Sequence, residues 1–188
     1  MRIIHFISGL GSGGTERNLY KLIKKSKNKN IIFSFSKENF YFKNNKQKIY
    51  FPNKKSFVAI LNHIFSIPKI LKKECPDIIY CWMIHANILA GLVSYLSGFK
   101  KIIWNIRSSG QEYSIQKKNY FLFIILVFFS YFIPKKIVFN SNYSLFNHQR
   151  KFVSKKNNLV ILNGFKKKNF FLKPRNKTIK YLCIARNH

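Results

Sequence analysis

A glycine-rich segment near the start of the chain has the residue types of a phosphate-binding loop. Gly9, Gly11 and Gly14 have the spacing G-x-G-x-x-G, after an apolar run and before a helical pattern. Glycines let the backbone approach a phosphate, and the helix that follows offers free N–H groups and a partial positive charge. Two interpretations stay open: a dinucleotide-binding fold with Glu38 as the ribose partner, or another phosphate- or sugar-binding α/β fold.

Two later segments carry side chains suited to proton transfer and to anion binding. His85 stands just beyond the apolar run 78–82, immediately before a predicted helix, and an imidazole titrates near neutral pH. Arg107 and Ser108 stand where the apolar run that begins at residue 101 ends. Because a guanidinium binds phosphate or carboxylate through a rigid fork, the few arginines are more informative than the many lysines.

The cysteines do not indicate a metal or disulfide site. Cys75, Cys81 and Cys183 form no CxxC pair, and no second cluster of ligand-type residues lies near them in the sequence. An odd number of cysteines in this pattern argues against a disulfide framework and against a zinc site. We therefore expect no metal and no cofactor.

Short apolar runs alternate with helical patterns along the chain, which predicts a doubly wound α/β fold with a parallel sheet covered on both faces. The predicted strands are 2–7, 31–36, 48–51, 78–82, 101–107, 137–140 and 159–162. The predicted helices are 15–25, 57–71 with a kink at Pro68, 87–96, 120–133, and one that opens near residue 141 or 142. In such a sheet ligands bind beyond the carboxyl ends of the strands, where all the segments described above would lie.

The ordered set of segments resembles the N-terminal half of glycosyltransferase family 4, the retaining enzymes with a GT-B fold. The resemblance rests on RIIHFISGLGSGGTER, PDIIYCWMIHANILAGLVSYLSG, KKIIWNIRSSG, IVFNSNYS, VILNGF and YLCIARNH, which run in order over essentially the whole chain. It implies a Rossmann-like N-terminal, acceptor-side domain over residues 1–165. Residues 166–188 would then be a linker and the beginning of the C-terminal, donor-binding domain.

The resemblance also implies roles for residues on the donor side of the cleft. Gly13 and Gly14 would lie near the diphosphate of the donor, and Arg186 would contact that diphosphate through charge-assisted hydrogen bonds. His85 would lie close to the transferred sugar, where it would accept a hydrogen bond from a hydroxyl or assist proton movement. The lysine and the paired glutamates that the family carries beyond this arginine do not follow in the sequence, so we expect the chain alone to be an incomplete enzyme.

Four further residues are implied on the acceptor side or in the cleft. Glu16 and Arg17 would order the glycine-rich loop and its helix, while Arg107 and Ser108 would contact the acceptor or shape the cleft. The expected reaction transfers a sugar from a UDP- or GDP-sugar to a saccharide or lipid-linked acceptor. The expected location is the cytoplasm, with peripheral contact to the anionic inner face of the membrane.

The charge of the chain admits other functions. There are 35 Lys and Arg against 5 Asp and Glu, a formal net charge of +30, with 47% hydrophobic residues, which excludes a disordered basic tail. Lys, Asn, Ile, Phe and Tyr are abundant together, and all have AT-rich codons, so compositional bias accounts for much of the charge. A basic nucleic-acid-binding protein stays an alternative, although no known basic-aromatic module is present. The other alternative is an NAD-type oxidoreductase.

The apolar segment 120–133 has two possible locations, the protein core or the membrane interface. Residues 120–133 fall short of the roughly 20 residues that a membrane-spanning helix needs. Lysines precede and follow this segment. It is therefore expected to be either a buried core helix or a helix that lies in the membrane interface among anionic headgroups.

Overall fold

A computed structural model describes residues 1–44, 46–111, 117–151 and 153–164 of the chain. Strands and helices alternate through these residues. Their bounds are β1 Arg2–Ile7, α1 Gly14–Lys25, β2 Lys29–Ser34, β3 Lys48–Tyr50, α2 Phe57–Phe65, α3 Ile67–Glu74, β4 Ile78–Trp82, α4 Met83–Leu96, β5 Ile102–Ile106, α5 Lys117–Ser130, β6 Lys136–Phe139, α6 Asn142–Arg150 and β7 Asn158–Val160.

The strands form one parallel sheet with the order β3-β2-β1-β4-β5-β6-β7. The order reverses between β1 and β4, which is the point where open α/β sheets bind their ligands. At this point Trp82 pairs with Ile7 on one side and with Asn105 on the other. The predicted doubly wound parallel α/β fold is therefore confirmed.

Both faces of the sheet are buried, which explains why its strands read as continuous apolar runs. One face carries Phe6, Cys81 and Trp104 and is covered by α2 to α6. The opposite face carries Ile7, Ile32 and Trp82 and packs against Leu19 and Ile23 of α1. This alternation of side chains along each strand places Trp82 on the same face as the helix that follows the glycine-rich loop.

Two predicted helices differ from the observed ones. The pattern over 57–71 predicts one kinked helix, but the chain forms two, α2 and α3, which meet at Ser66. Pro68 lies in the first turn of α3, where its missing N–H leaves no hydrogen bond unmade. Helix α4 begins at Met83 rather than at the predicted residue 87, because Met83 has a φ of 71° and turns the chain directly from strand to helix.

The amino edge of the sheet is held by two of the few acidic residues. The backbone N–H of Arg2 donates to Asp77 at 2.7 Å, and the Arg2 guanidinium donates to the backbone carbonyl of Glu74. The Glu74 carboxylate, almost fully buried, accepts from Lys48 at 2.5 Å and from the Tyr50 hydroxyl at 2.6 Å. These contacts join β1, β3 and α3, so Arg2 is a structural residue.

Most of the apolar segment 120–133 lies in helix α5, and this helix has two different faces. Phe123, Leu126 and Ser130 are buried, whereas Phe121 and Phe128 are largely exposed. No helix in the described part of the chain is long and apolar enough to cross a bilayer. One face of α5 therefore belongs to the core, and the other is left on the surface.

A glycine in α4 is required by the close approach of Trp104. A Cβ at Gly91 would lie 2.7 Å from Trp104 Nε1 and 3.4 Å from Ile133 Cγ2. We expect Gly91→Ala to lower the free energy of unfolding by about 1–3 kcal/mol, because this overlap outweighs the better helix propensity of alanine. Urea unfolding followed by circular dichroism would measure the change.

The matched control for this prediction is Gly14→Ala in the first turn of α1. A Cβ at Gly14 meets nothing within 4 Å, so this variant is expected to unfold like the parent chain. Equal stabilities for the two variants would contradict the steric role of Gly91.

Candidate functional site

His5, Trp82 and Arg107 form a column of contacting side chains that runs from the core to the carboxyl edge of the sheet. His5 and Trp82 are buried, and Arg107 is half-buried. The Arg107 guanidinium lies over the Trp82 ring, 5.7 Å from its centroid. The Trp82 indole N–H donates to His5 Nδ1 at 3.2 Å, and His5 Nε2 lies 3.0 Å from Asn30 Oδ1. The indole is therefore oriented from below by His5 and presents its face to a cation above it.

The protonation state of His5 follows from its two partners. An indole N–H only donates, so Nδ1 of His5 must be the acceptor and Nε2 carries the proton that it donates to Asn30. Burial of the ring lowers the pKa of His5 to about 4. His5 is accordingly neutral at physiological pH, and its role is to position Trp82.

The Arg107 guanidinium is also held from the side. Its Nη2 donates to Asn163 Oδ1 at 2.7 Å, and Asn18 of α1 donates to the same oxygen at 3.3 Å. Asn140 donates to the backbone carbonyl of Arg107 at 3.4 Å. Burial lowers the pKa of Arg107, but a guanidinium stays charged in proteins. The ends of β5, β6 and β7 and helix α1 thus converge on one fixed positive charge.

The asparagines and the aromatic residue of this arrangement were not predicted as site residues. Asn163 stands in an Asn-Gly pair at the end of an apolar run, and Trp82 ends β4. Polar or aromatic residues at the carboxyl ends of several strands are the signal that would have identified them. Asn18 lies within α1 and gives no comparable signal in the sequence.

The glycine-rich loop is clamped by the segment that follows β2. Leu10 forms an isolated parallel bridge with Asn39, and the Phe40 N–H donates to the Leu10 carbonyl at 2.8 Å. The Tyr41 hydroxyl donates to the Ser12 carbonyl at 3.0 Å. The loop is therefore preformed and held against the sheet.

Two carboxylates lie against this loop. The Glu16 carboxylate folds back over Gly13, the N-cap residue of α1, so that a Cβ at Gly13 would overlap it. A Cβ at Gly11 would lie 2.9 Å from a Glu38 carboxylate oxygen. Such carboxylates accept hydrogen bonds from hydroxyls and repel a phosphate. Glu16 also complements the positive end of the helix, where a dinucleotide pyrophosphate would have to lie.

The remaining residues at the start of α1 are accessible. Gly14 is exposed and borders open space, so its backbone is free to approach a ligand. The Arg17 side chain is exposed, and its backbone N–H makes the first hydrogen bond of α1, to the Gly13 carbonyl at 3.1 Å. The Glu16 carboxylate contacts the loop and the Arg17 side chain is exposed to solvent, and the roles predicted for both residues stay predictions.

His85 lies in the first turn of α4 and not in the loop predicted before that helix. Its side chain is exposed at the carboxyl edge of β4, next to β5, which ends just before Arg107. Met83 holds a left-handed φ of 71°, a conformation that bulky residues rarely adopt and that occurs often at functional sites. This sharp turn starts α4 at the end of β4 and so places His85 close to the carboxyl edge of the sheet.

The segment that begins at Ser108 is bound to α6. The backbone carbonyl of Ser108 accepts from the Ser144 hydroxyl at 2.6 Å, and the Ser109 carbonyl accepts from Asn147 at 3.2 Å. Lys151 donates to the Gly110 carbonyl at 2.6 Å. These contacts fix the position of the segment beside Arg107.

A cleft of about 500 Å³ with a mixed polar and apolar lining opens at the carboxyl end of β3, between that strand and α2. Its lining includes Asn53, Lys54, Asn62 and His63. The His63 ring stacks on Phe33 at 3.9 Å, and burial lowers its pKa. Amide, amine and imidazole groups in an open cleft are suited to bind a polyhydroxylated molecule.

Three further predictions from the sequence concern metal binding, the cysteines and Arg186. No group of three His, Cys, Asp or Glu side chains in the described ranges is placed to hold a metal ion. Cys75 is exposed and Cys81 is buried, both as free thiols. Cys183 and Arg186 lie outside the described residues.

Solved structures of glycosyltransferases share this fold at low sequence identity. HepE from Anabaena in complex with UDP matches with a TM-score of 0.71 and 14% identity, over 88% of this chain and 44% of that one. The lipopolysaccharide outer core galactosyltransferase WaaB matches with a TM-score of 0.69 and 19% identity, over 94% of this chain and 50% of that one. MurG from Acinetobacter baumannii matches with a TM-score of 0.57 and 11% identity, over 89% of this chain and 46% of that one. Neither a protein-family model nor a curated protein sequence matches the chain.

These matches define the class of fold. The chain has the Rossmann-like sheet found in one half of GT-B glycosyltransferases, as its sequence resemblance implies. It spans about half the length of the solved structures that it matches. Membership of glycosyltransferase family 4 in particular stays a prediction.

The buried neutral imidazole of His5 makes stability depend on pH. Its pKa is about 4 in the folded chain and about 6.5 in the unfolded chain, so the unfolded state binds the proton more readily. His5 is expected to reduce the free energy of unfolding by about 3 kcal/mol as the pH falls from about 6.5 to about 4. Urea unfolding over this pH range would measure the loss.

The variant His5→Gln provides the comparison, since glutamine stays neutral across this range. It is expected to flatten the pH dependence, whatever its stability at neutral pH. His63→Gln removes the half-buried imidazole and serves as the control, with a smaller effect in the same direction. A pH dependence identical in His5→Gln and in the parent chain would show that His5 is not the titrating group.

Proposed function

We propose that residues 1–165 are the N-terminal, acceptor-side domain of a retaining glycosyltransferase. The enzyme would transfer a sugar from a UDP- or GDP-sugar to a saccharide or a lipid-linked acceptor. The observation that carries the proposal is the carboxyl edge of the sheet, where a preformed glycine-rich loop, an exposed imidazole and a fixed guanidinium lie at adjoining strand ends. Its support is that this edge occurs in the fold of glycosyltransferases, one of them bound to UDP.

The donor side of the site is proposed as follows. His85, exposed in the first turn of α4, faces the transferred sugar and accepts a hydrogen bond from a hydroxyl or assists proton movement. The backbone at Gly13 and Gly14 approaches the donor diphosphate. Since two carboxylates lie against this loop, the positive charge that a diphosphate requires must come from elsewhere. Arg186, in a donor-binding domain that begins within residues 166–188, is proposed to supply part of it.

The acceptor side is proposed to use the Arg107 guanidinium and the cleft at the carboxyl end of β3. Arg107 offers its remaining guanidinium donors to an acceptor oxygen, and Ser108 shapes the wall beside it. Glu16 and Arg17 order the loop and the start of α1. The cleft at the end of β3 provides the room and the polar groups for a saccharide.

The two alternatives make different demands on the structure. A dinucleotide-binding oxidoreductase would place its pyrophosphate at the N-terminus of α1, as the transferase would place its donor diphosphate, so the Glu16 carboxylate there does not separate the two. A nucleic-acid-binding protein would bind through its lysines, with an affinity that falls steeply as salt rises. Neither alternative uses the column of His5, Trp82 and Arg107.

Replacement of Arg107 by lysine tests the acceptor side of the site. Lysine keeps the charge but loses the fork that bonds Asn163 and the planar group that stacks on Trp82, so we expect about tenfold weaker saccharide binding. A panel of saccharides and UDP- and GDP-sugars, titrated by nuclear magnetic resonance, would measure the affinities. NAD and a DNA oligonucleotide belong in the same panel.

Arg150→Lys is the matched control, because Arg150 also lies over an aromatic ring, 5.5 Å from that of Phe146, but on α6. Its ligand affinities should equal those of the parent chain. Tight binding of NAD, or of DNA alone, would favour the corresponding alternative over the transferase. Equal saccharide affinities for Arg107→Lys and the parent chain would contradict the role given to Arg107.

Replacement of His85 by alanine tests the chemical step. In a chain that includes the donor-binding domain, we expect kcat for sugar transfer to fall by about 100-fold or more, the usual contribution of a positioned acid or base. Because His85 is exposed, thermal unfolding should stay unchanged. Release of UDP or GDP would measure turnover, and an unchanged kcat would rule out a catalytic His85.

A further inference from the structure

The outer face of α5 is a stripe of exposed apolar side chains. Phe121, Ile124, Phe128 and Phe132 follow one another at helical spacing and are 65%, 48%, 60% and 62% exposed. The opposite face of the helix is buried in the core. Over its 14 residues α5 extends this stripe along about 20 Å. One side of the helix packs in the core, and the described residues leave the apolar stripe on the other side uncovered.

The neighbouring helices extend the same apolar surface. Helix α4 packs between α2 and α5 on this face of the sheet. On α4, Leu89 and Leu96 are exposed, and on α2 the side chains of Phe57 and Phe65 are about three-quarters exposed. Apolar patches of this extent are uncommon on soluble monomers and mark a surface that contacts a partner.

Lysine pairs border this surface at the amino edge of the sheet. Lys100 and Lys101 precede β5, Lys135 precedes β6 and Lys136 begins it, and Lys155 and Lys156 precede β7; all six are exposed. Because the strands are parallel, these three pairs lie at the same edge. Lys156 lines one groove together with apolar residues of α5 and its C-terminal turn, among them Ile124, Phe128 and Phe132.

The part of the chain that forms α5, β6, α6 and β7 is basic and has no acidic side chain of its own. The last acidic residue in the sequence is Glu112, so α5, β6, α6 and β7 contain no carboxylate side chain. The described lysines that follow Glu112 therefore have no carboxylate in their own part of the chain, whereas Lys100 and Lys101 share the amino edge with Asp77. A strongly positive rim around an aromatic, apolar face is complementary to an anionic lipid surface.

We propose that the outer face of α5, with the lysine pairs before β5, β6 and β7, binds the surface of a bilayer that contains anionic lipids. The helix lies in the plane of the interface with its phenylalanines among the acyl chains, and the lysines contact the headgroups. A second copy of the chain would bring two lysine rims of like charge together, and a nucleic acid would leave the apolar stripe uncovered. Both occupants are therefore less complementary than a membrane.

The orientation of α5 gives this contact a consequence for the proposed transferase. In a parallel sheet the helix between β5 and β6 runs from the carboxyl edge back to the amino edge. The stripe thus lies alongside the sheet, and the carboxyl edge with Arg107 is held beside the membrane. This consequence alone rests on the proposed function, whereas membrane binding does not.

Removal of one phenylalanine tests the apolar part of the proposal. The chain would be sedimented at low salt with vesicles of phosphatidylcholine and phosphatidylglycerol, and with vesicles of phosphatidylcholine alone. We expect binding to the anionic vesicles only, and about tenfold weaker binding for Phe128→Ser. Phe40→Ser is the matched control, because Phe40 is 59% exposed but follows β2 at the carboxyl edge, and its affinity should be unchanged.

Removal of a lysine pair tests the charged part. We expect Lys155→Gln with Lys156→Gln to bind anionic vesicles about 25-fold more weakly, roughly fivefold for each lysine. The pair Lys24→Gln with Lys25→Gln on α1 removes the same charge from the opposite face of the sheet. Measured at about 0.1 M salt, where the Debye length is about 10 Å, this pair should change the affinity little. Equal effects of the two pairs would show a non-specific charge effect and would overturn the proposed surface.

A tryptophan at position 128 reports the contact directly. Trp82 and Trp104 are buried, so a blue shift of Phe128→Trp fluorescence on addition of anionic vesicles would come from the new side chain. Phe40→Trp should show no shift. Absence of vesicle binding at low salt would overturn the proposal. So would a Phe128→Ser variant that binds vesicles normally but loses self-association in sedimentation equilibrium, since a second copy would then cover this face.

Discussion

The common direction of the strands is the constraint on which the rest of this structure depends. Since every crossover returns the chain to the same edge, the glycine-rich loop, the turn at Met83 and the segment from Arg107 all emerge at the carboxyl ends. The same rule collects the lysine pairs at the amino ends. One edge of the sheet is thereby reserved for polar chemistry, and the opposite edge becomes strongly basic.

The column of His5, Trp82 and Arg107 shows how a buried polar group is made compatible with the core. His5 would be costly in the middle of β1 without partners, but Asn30 and the indole N–H satisfy both ring nitrogens of the neutral form. The indole is thereby fixed, and Arg107 stacks on a surface that does not move. The rigidity of the cation at the carboxyl edge therefore originates deep in the sheet.

The few acidic residues are placed where their charge has a structural effect. Glu74 and Asp77 join strands at the amino edge, and Glu16 and Glu38 lie against the glycine-rich loop. The second half of the chain has none after Glu112. Residues 1–112 carry 19 of the 35 lysines and arginines together with all five carboxylates, whereas the other 16 cations have no carboxylate in their part of the chain.

The sequence by itself determined the α/β class, the order of the elements and the segments that meet at the carboxyl edge, because apolar runs and helical periods are local properties. It also located Arg107, His85 and the glycine-rich loop. Only the tertiary structure decided that His85 stands in the first turn of α4, since the left-handed turn at Met83 has no sequence signature. Likewise Asn18, Asn163 and Trp82 join Arg107 across large separations along the chain, and such contacts exist only once the strands have paired.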